Sequence, residues 1–517
     1  MLNVSKLNIN ECKTIDDALN ENWTNNPDRA FIHYKAQTLT YGNVYRLVNG
    51  LSEFLSAAGV KKGSKVCMIL PRVPELIITF LATVRLGALP VPVNFTLGKQ
   101  EAASFILAVN PVAAVVHEKL LASIDCEVLG SACQTTIITG KDGRPHPNGF
   151  IPWDSACYPS NTVTQLMGQQ PLAYLNYTTG STSSPKGALA THENIYVNTA
   201  AAVAAMGFTQ DDVHMCMFSS FAHPHELFAR ALFTGASIVL LEEINPKTMA
   251  AAICYSKVTA MMGIAPLYDM LTSHAKNFKL DTLRIAESGG MYTRPDVLNG
   301  FYNAFGIPIL CVWGSTETTG IAIANTPSAC RMDGSMGRVC PYYDIKVIND
   351  DGTEAKVSQP GELLFKGPAV ISGYIEGSEF TLIDGWYHSG DLGWRDKDGF
   401  FYFTDRKSGL LKVAGLKVYP LQVELVLLEH PAIKEAAVIG VEDKLRGDVP
   451  AAFVVLHDGA SATEDEILHY CNKNMAHYMI PKKMRIIDEL PKIGSGKIDK
   501  KTLAQSAGKI LSKAVSA

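Results

Sequence analysis

The stretch 177–187 reads YTTGSTSSPKG and concentrates groups that suit a phosphate. Thr178, Thr179, Ser181, Thr182, Ser183 and Ser184 offer hydroxyls, Gly180 permits close approach to the backbone, and Lys186 adds a positive charge. It is not a Walker loop, which needs G-x-x-x-x-G-K-[ST]. Pro185 stands where the last glycine belongs and removes an N–H donor, and Gly187 replaces the hydroxyl that would hold magnesium. Tracts of Gly, Ser and Thr also serve as solvated linkers, so the loop alone leaves both readings open. The flanks favour the phosphate site. LAYLNY before it and ALATHENI after it read as strand, loop and helix, the setting in which phosphate loops occur.

Other elements must position such a loop. Val44, Leu47, Val48, Leu51, Phe54, Leu55 and Ala58 form a helical stripe that Gly59 can end. VCMIL at 66–70 reads as a strand, PELIITFLATVRLGA at 74–88 as a helix, and the same alternation recurs at 225–242 and 247–263. This grammar predicts an α/β fold with parallel layers. GELLFKG at 361–367 and GFFYFTDR at 399–406 read as hairpins or meanders, so a β-rich subdomain is expected before residue 405. After it, helix, strand, strand and helix predict a small α+β domain. The boundary falls near DRKSG at 405–409, giving a large domain over 1–404, a hinge and a small mobile domain over 410–517.

Composition narrows the function. At 517 residues at least two domains are expected, and a net charge of -4 gives no basic field for nucleic acid or anionic lipid. The eleven cysteines show no C-x-x-C pair and no Cys/His cluster at metal-ligand spacing, which fits reduced cytoplasmic thiols and no structural zinc. The N-terminus is polar and acidic, unlike a secretory signal, and the apolar region 66–95 is interrupted by Pro71, Arg72, Pro74, Glu75 and Arg85, so no membrane span is expected.

The phosphate loop resembles the signature [YF]-[ST]-[ST]-G-[ST]-T-G-x-P-K-G of the adenylate-forming superfamily, with Ser183 in place of a glycine. That superfamily comprises acyl-CoA synthetases, peptide-synthetase adenylation domains and firefly-type luciferases. Further motifs follow in order over roughly residues 30–505. ESGGMYTRP at 287–295 resembles the turn beside the adenine, which implies nucleotide contacts at Gly289 and Gly290. VWGSTETTG at 312–320 resembles Y-G-x-T-E; the resemblance gives Thr316 and Glu317 the phosphate and magnesium roles, with Gly314 in the motif and Trp313 replacing the tyrosine that stacks on adenine. WYHSGDLG at 386–393 resembles W-x-x-T-G-D and implies that Asp391 accepts from the ribose hydroxyls. DRKSGLLKVAGLKVYPLQVE at 405–424 resembles the hinge segment, with Arg406 on the ribose, Ser408 at the hinge, and Lys412, Gly415 and Pro420 at matching positions. PKIGSGKIDK at 491–500 matches P-K-x-x-x-G-K-[IVL], so Lys497 carries over as the adenylating lysine. The P-x-x-H-x-x-G motif is less clear. FAHPHELF at 221–228 offers His223 or His225 with Phe221 as residues of a substrate pocket.

The resemblance implies an acid–thiol ligase that uses ATP, Mg2+ and coenzyme A. Lys497, Glu317 with magnesium, and the hydroxyl loop would stabilise charge on the phosphoryl group while pyrophosphate leaves, and a thiol would then displace AMP. Family members rotate the C-terminal domain between the steps, exchanging the Lys497 loop for the Lys412–Lys417 segment. Coenzyme A is the expected acceptor because no carrier module follows; loading of a carrier protein and a luciferase-like oxygenase are the alternatives. Ala222 follows Phe221 where amino-acid-activating relatives carry an acid, which disfavours an amino-acid substrate. Ser183 and FFYFTDR carry a faint similarity to the carnitine/crotonobetaine-CoA ligase branch and point to small or medium organic acids. The sequence does not fix an oligomeric state, and a homodimer is compatible with it.

Overall fold

The computed structural model describes residues 7–140, 146–163, 171–178, 186–375, 382–443, 447–492 and 498–512. Its contacts group into two units, Met1–Ile345 with Phe365–Tyr387, and Lys346–Leu364 with His388–Ala517.

The first unit is layered α/β. One sheet is wholly parallel, in the spatial order Leu89–Pro92, Lys65–Ile69, Ala113–His117, Thr135–Thr139, Ile151–Pro152. Strands covered on both faces need apolar residues at successive positions, and Val66 to Ile69 and Ala113 to His117 are all buried. The helices between them start where the sequence supplies a cap. Thr40 and Asn43 form a capping box for Tyr41–Ala57, and Pro74 opens Pro74–Arg85, where its missing N–H costs nothing. In the second sheet Ile309–Ser315, Ile285–Ser288, Ala260–Gly263, Val213–Cys216, Ser237–Leu240 and Ala30–Tyr34 run parallel in that order, with Gly320–Ala324 then Ser335–Val339 antiparallel beyond one end. Alternate residues serve opposite faces: Ala286 joins the apolar cluster of Met261, Tyr268, Leu298 and Phe301, which leaves Glu287 for the other face.

The expected strand, loop and helix around the phosphate loop is corrected in one respect. Leu172–Thr178 pairs antiparallel with a second strand, Lys186–Thr191, and only then does helix His192–Met206 begin, capped by Thr191. ALAT is small and apolar enough to serve either element, and its pairing with LAYLNY decides for the strand. FAHPHELF likewise forms a 3-10 turn, Pro224–Leu227, ahead of the short helix Ala229–Thr234.

In the second unit, Asp391 to Arg395 of strand Trp386–Arg395 pair antiparallel with Phe401–Arg406. The remainder is α+β: strands Leu416–Val418, Leu411–Val413, Gly447–Leu456 and Ile433–Asp443 form a sheet, with Lys483–Ile486 parallel to Gly447–Leu456. Helices Pro420–Leu428 and Glu464–Asn474 cover one apolar cluster; Lys500–Ser512 seals another through Leu503 and Ala507. Among the described residues no helix is long and apolar enough to cross a membrane.

Candidate active site

In the first unit the segment Trp313–Gly320 leaves the parallel sheet and doubles back as the antiparallel strand Gly320–Ala324. The turn is built by its own hydroxyls: Ser315 N–H donates to Thr318 Oγ1 at 2.9 Å, and Thr318 Oγ1 donates to the Gly320 carbonyl at 2.8 Å. Gly314 is required there, because a Cβ would lie 2.2 Å from the Gly320 carbonyl oxygen. Thr319 takes a positive φ of 60°, held by its hydroxyl donating to the Ala369 carbonyl at 2.7 Å. This packing leaves Thr316 and Glu317 partly exposed at the bend.

Glu317 accepts a hydrogen bond from the Tyr374 hydroxyl, and its backbone carbonyl accepts from Ile371 N–H at 2.9 Å. Burial and the Glu317 charge both hold the Tyr374 phenol well above its ordinary pKa, so it is a donor at all working pH values. Lys186 lies with its ammonium 5.6 Å from the Tyr374 ring centroid. The link is made by backbone: Leu189 N–H donates to the Gly373 carbonyl at 3.1 Å, and Ala188 bridges Tyr374. Three sequence-distant segments thus bring Lys186, Tyr374 and Glu317 together. Thr178 closes its strand opposite Lys186. Thr179, Gly180, Ser181 and Thr182 lie outside the described residues.

Gly289 and Gly290 follow the neighbouring strand, in which Ser288 stands opposite Cys311. A Cβ at Gly289 would meet Val312 Cγ2 at 2.8 Å, and Gly290 has φ +78°, so both positions favour glycine. Trp313 is stacked on Phe365 with centroids 4.2 Å apart and planes 3° from parallel. One indole face is therefore covered by the Phe365 ring.

Of the two histidines, His225 is buried, with Nδ1 2.8 Å from the Tyr174 hydroxyl and Nε2 2.8 Å from the Thr319 carbonyl oxygen. Burial, chiefly, lowers its pKa to about 4. His223 is partly buried at the start of the turn, and Phe221 packs edge-on against Phe95 at 5.0 Å. Close by are charges that the motif reading missed. Arg230 pairs with Glu287 at 2.5 Å and with Glu226 at 3.3 Å, all three buried. Their signal in the sequence is a charge inside an apolar run, as in HELFARALF and RIAESGG.

In the second unit Asp391 and Arg406 stand opposite each other in the ladder, joined at 2.6 Å, with Asp391 buried and Arg406 largely exposed. Glu362 accepts from the Gly390 N–H at 3.2 Å and pairs with Lys407 at 2.7 Å. Ser408 is exposed on the 3-10 turn Lys407–Gly409. Lys412 is exposed opposite Lys417 on a hairpin that turns through Ala414 and Gly415, at φ +48° and +86°. Lys497 lies outside the described residues.

The AMP-binding enzyme family model matches residues 19–375 and the AMP-binding enzyme C-terminal domain matches residues 422–497. A long-chain-fatty-acid–CoA ligase of Bacillus subtilis is 28% identical, over 95% of this chain and 94% of that protein. An indoleacetate–CoA ligase of Aromatoleum aromaticum is 29% identical, over 93% and 95%. The structure of o-succinylbenzoate CoA synthetase from Bacillus subtilis, in complex with its acyl-adenylate intermediate, superposes with a TM-score of 0.84 at 26% identity, covering 94% of this chain and 97% of the other.

Proposed function

The chain belongs to the AMP-binding enzyme family, and from that premise we propose how its residues divide the work of acid–thiol ligation. The reaction joins a carboxylic acid to coenzyme A at the expense of ATP. A free carboxylate resists a thiol because it is anionic and has no leaving group. Attack of the carboxylate on the α-phosphate, with departure of pyrophosphate, gives an acyl adenylate; a thiol then attacks the acyl carbon and AMP departs.

Thr316, Lys186 and the hydroxyls of 178–182 bind the phosphates in this reading, and Gly289, Gly290, Trp313 and Gly314 frame the base. The donor set at the bend suits Mg2+, which takes one or two carboxylates and otherwise phosphate and water oxygens. Glu317, partly exposed and oriented by Tyr374, would hold it, and the ion would supply charge neutralisation at the phosphoryl group. Asp391 and Arg406 take the ribose. Lys497 stabilises the first step, and rotation about Ser408 brings Lys412 and Gly415 forward for the second. The acid is a small or medium organic acid. The observation that supports the scheme most is the meeting of Lys186, Tyr374 and Glu317 beside Thr316, which sets a cation, a phenol and a carboxylate in one place.

The test is pyrophosphate release with ATP, Mg2+ and a panel of aliphatic and aromatic acids, with and without coenzyme A. Release without coenzyme A, accelerated by it and accompanied by thioester, is the expected result. Turnover of ATP independent of any acid would overturn it.

A further inference from the structure

Lys497 itself lies outside the described residues, but the chain on either side of it is described and is fastened by several contacts. On the N-terminal side Lys492 pairs with Glu435 at 2.9 Å and forms an antiparallel bridge with Ile498, the residue that follows Lys497. Asp499 N–H donates to the Pro491 carbonyl at 2.7 Å. The Asp499 carboxylate accepts from the N–H groups of Lys501 and Thr502 at 3.1 and 3.0 Å, which starts helix Lys500–Ser512. Leu490 and Leu503, one on each side, are buried in the same apolar cluster as Ile439 and Phe453.

One further contact is ionic and buried. Lys500 Nζ lies 2.6 Å from Glu424 Oε1, and the Glu424 side chain is 9% exposed against 39% for Lys500. The same Glu424 oxygen accepts from Val438 N–H at 2.7 Å. Burial and the charge of Asp405 raise the Glu424 pKa, and Lys500 opposes both. A carboxylate this buried is costly unless it is paired, and among the described residues Lys500 is the only cation that pairs with it. The pair also has a particular place in the chain. Glu424 stands on helix Pro420–Leu428, where Leu421 N–H donates to Asp405 Oδ2 at 2.8 Å. Asp405 lies on the strand of Arg406, just ahead of the turn Lys407–Gly409. A single helix therefore connects the strand before that turn to the residues that follow Lys497.

We propose that Glu424 is a positioning residue for adenylation: through Lys500 it fixes the C-terminal foot of the Lys497 segment, whereas the thioester step, which draws on the Lys412–Lys417 hairpin, does not require it. This rests on the roles given to Lys497 and Lys412 above and adds the groups that hold the first of them in place. A lysine that stabilises phosphoryl oxygens must be held closely, since a displacement of about 1 Å can cost on the order of 10²-fold in rate.

The experiment measures the two half-reactions of the full chain separately, with the acid of the panel above that is turned over fastest and with its synthetic adenylate. Single-turnover pyrophosphate release reads the first, and conversion of the adenylate with coenzyme A to thioester reads the second. Lys500→Met and Glu424→Gln should each slow the first by about ten- to a hundredfold and leave the second near the parent rate. Lys500→Arg keeps the cation and should retain both. The double variant Glu424→Gln with Lys500→Met leaves no unpaired buried charge, which guards against misfolding, and it should adenylate no more slowly than the slower single variant. A loss shared equally by both half-reactions, as a merely structural role would give, overturns the inference, and so does adenylation at the parent rate in these variants. In either case a Lys497→Ala variant defective in adenylation alone would leave the ligase reading standing. No pyrophosphate release by the parent chain with any acid would overturn both.

Discussion

The Nε2–H of His225 donates to the carbonyl oxygen of Thr319 at 2.8 Å, tying the histidine turn to the residue whose left-handed backbone shapes the Thr316–Gly320 bend. A carbonyl can only accept, so the tautomer is fixed and Nδ1 accepts from the Tyr174 hydroxyl. His225 therefore holds the bend as a neutral donor. His192, whose Nδ1 accepts from Ile15 N–H at 3.2 Å, is neutral for the same reason of burial, with a pKa lowered to about 4.

These depressed values predict acid sensitivity. Between about pH 4 and the unfolded histidine value of about 6.5 the unfolded chain binds more protons than the folded one, so stability is full above that range and is lost as pH falls through it. Thermal melts should show a decline on the order of 1–2 kcal/mol per buried histidine from pH 7 to 5. His225→Gln should lower the melting temperature at pH 7 and flatten this dependence. A slope identical to that of the parent would show that His225 is not among the groups responsible.

Tyr374→Phe removes one hydrogen bond to a carboxylate and no packing volume. Adenylation should slow by about ten- to a hundredfold, the worth of such a bond, and the Mg2+ concentration for half-maximal rate should rise. Titration of pyrophosphate release with magnesium reads both; an unaltered magnesium requirement would separate Tyr374 from the ion.

Lys497→Ala is expected to abolish adenylate formation by losing a cation at the phosphoryl oxygens, a deficit of about 10²-fold or more. The variant should still convert supplied acyl adenylate and coenzyme A to thioester. Equal failure in both half-reactions would remove Lys497 from its assigned step.

Ser408→Pro restricts the backbone of an exposed 3-10 turn while burying nothing new. Single-turnover assays should find adenylate formation retained and thioester formation slowed. Parallel losses in both would argue against a hinge at this residue.

Much of this was readable in the sequence, because apolar periodicity reports local structure directly. The stripe from Val44 to Leu55 lies in helix Tyr41–Ala57, with Ala58 as its C-cap, and VCMIL overlaps strand Lys65–Ile69. The strand Lys186–Thr191 was not readable, since only its partner across the hairpin distinguishes it from the lead-in to a helix. Tyr374 escaped for a related reason. Its place beside Glu317 depends on the Gly373 carbonyl finding Leu189, a pairing that no local pattern encodes. The Glu226–Arg230–Glu287 trio left a trace as charges in apolar runs, but the meeting of Arg230 with Glu287 is a matter of tertiary geometry.

Tyr374 touches Lys186 with its ring face and Glu317 with its hydroxyl, and among the described residues no ion pair joins Lys186 to Glu317 directly. The ring acts as a spacer. In the proposed scheme this arrangement would keep a standing separation of charge, positive on the hairpin and negative on the bend, which a ligand carrying both an anionic chain and a metal ion would complete from either end.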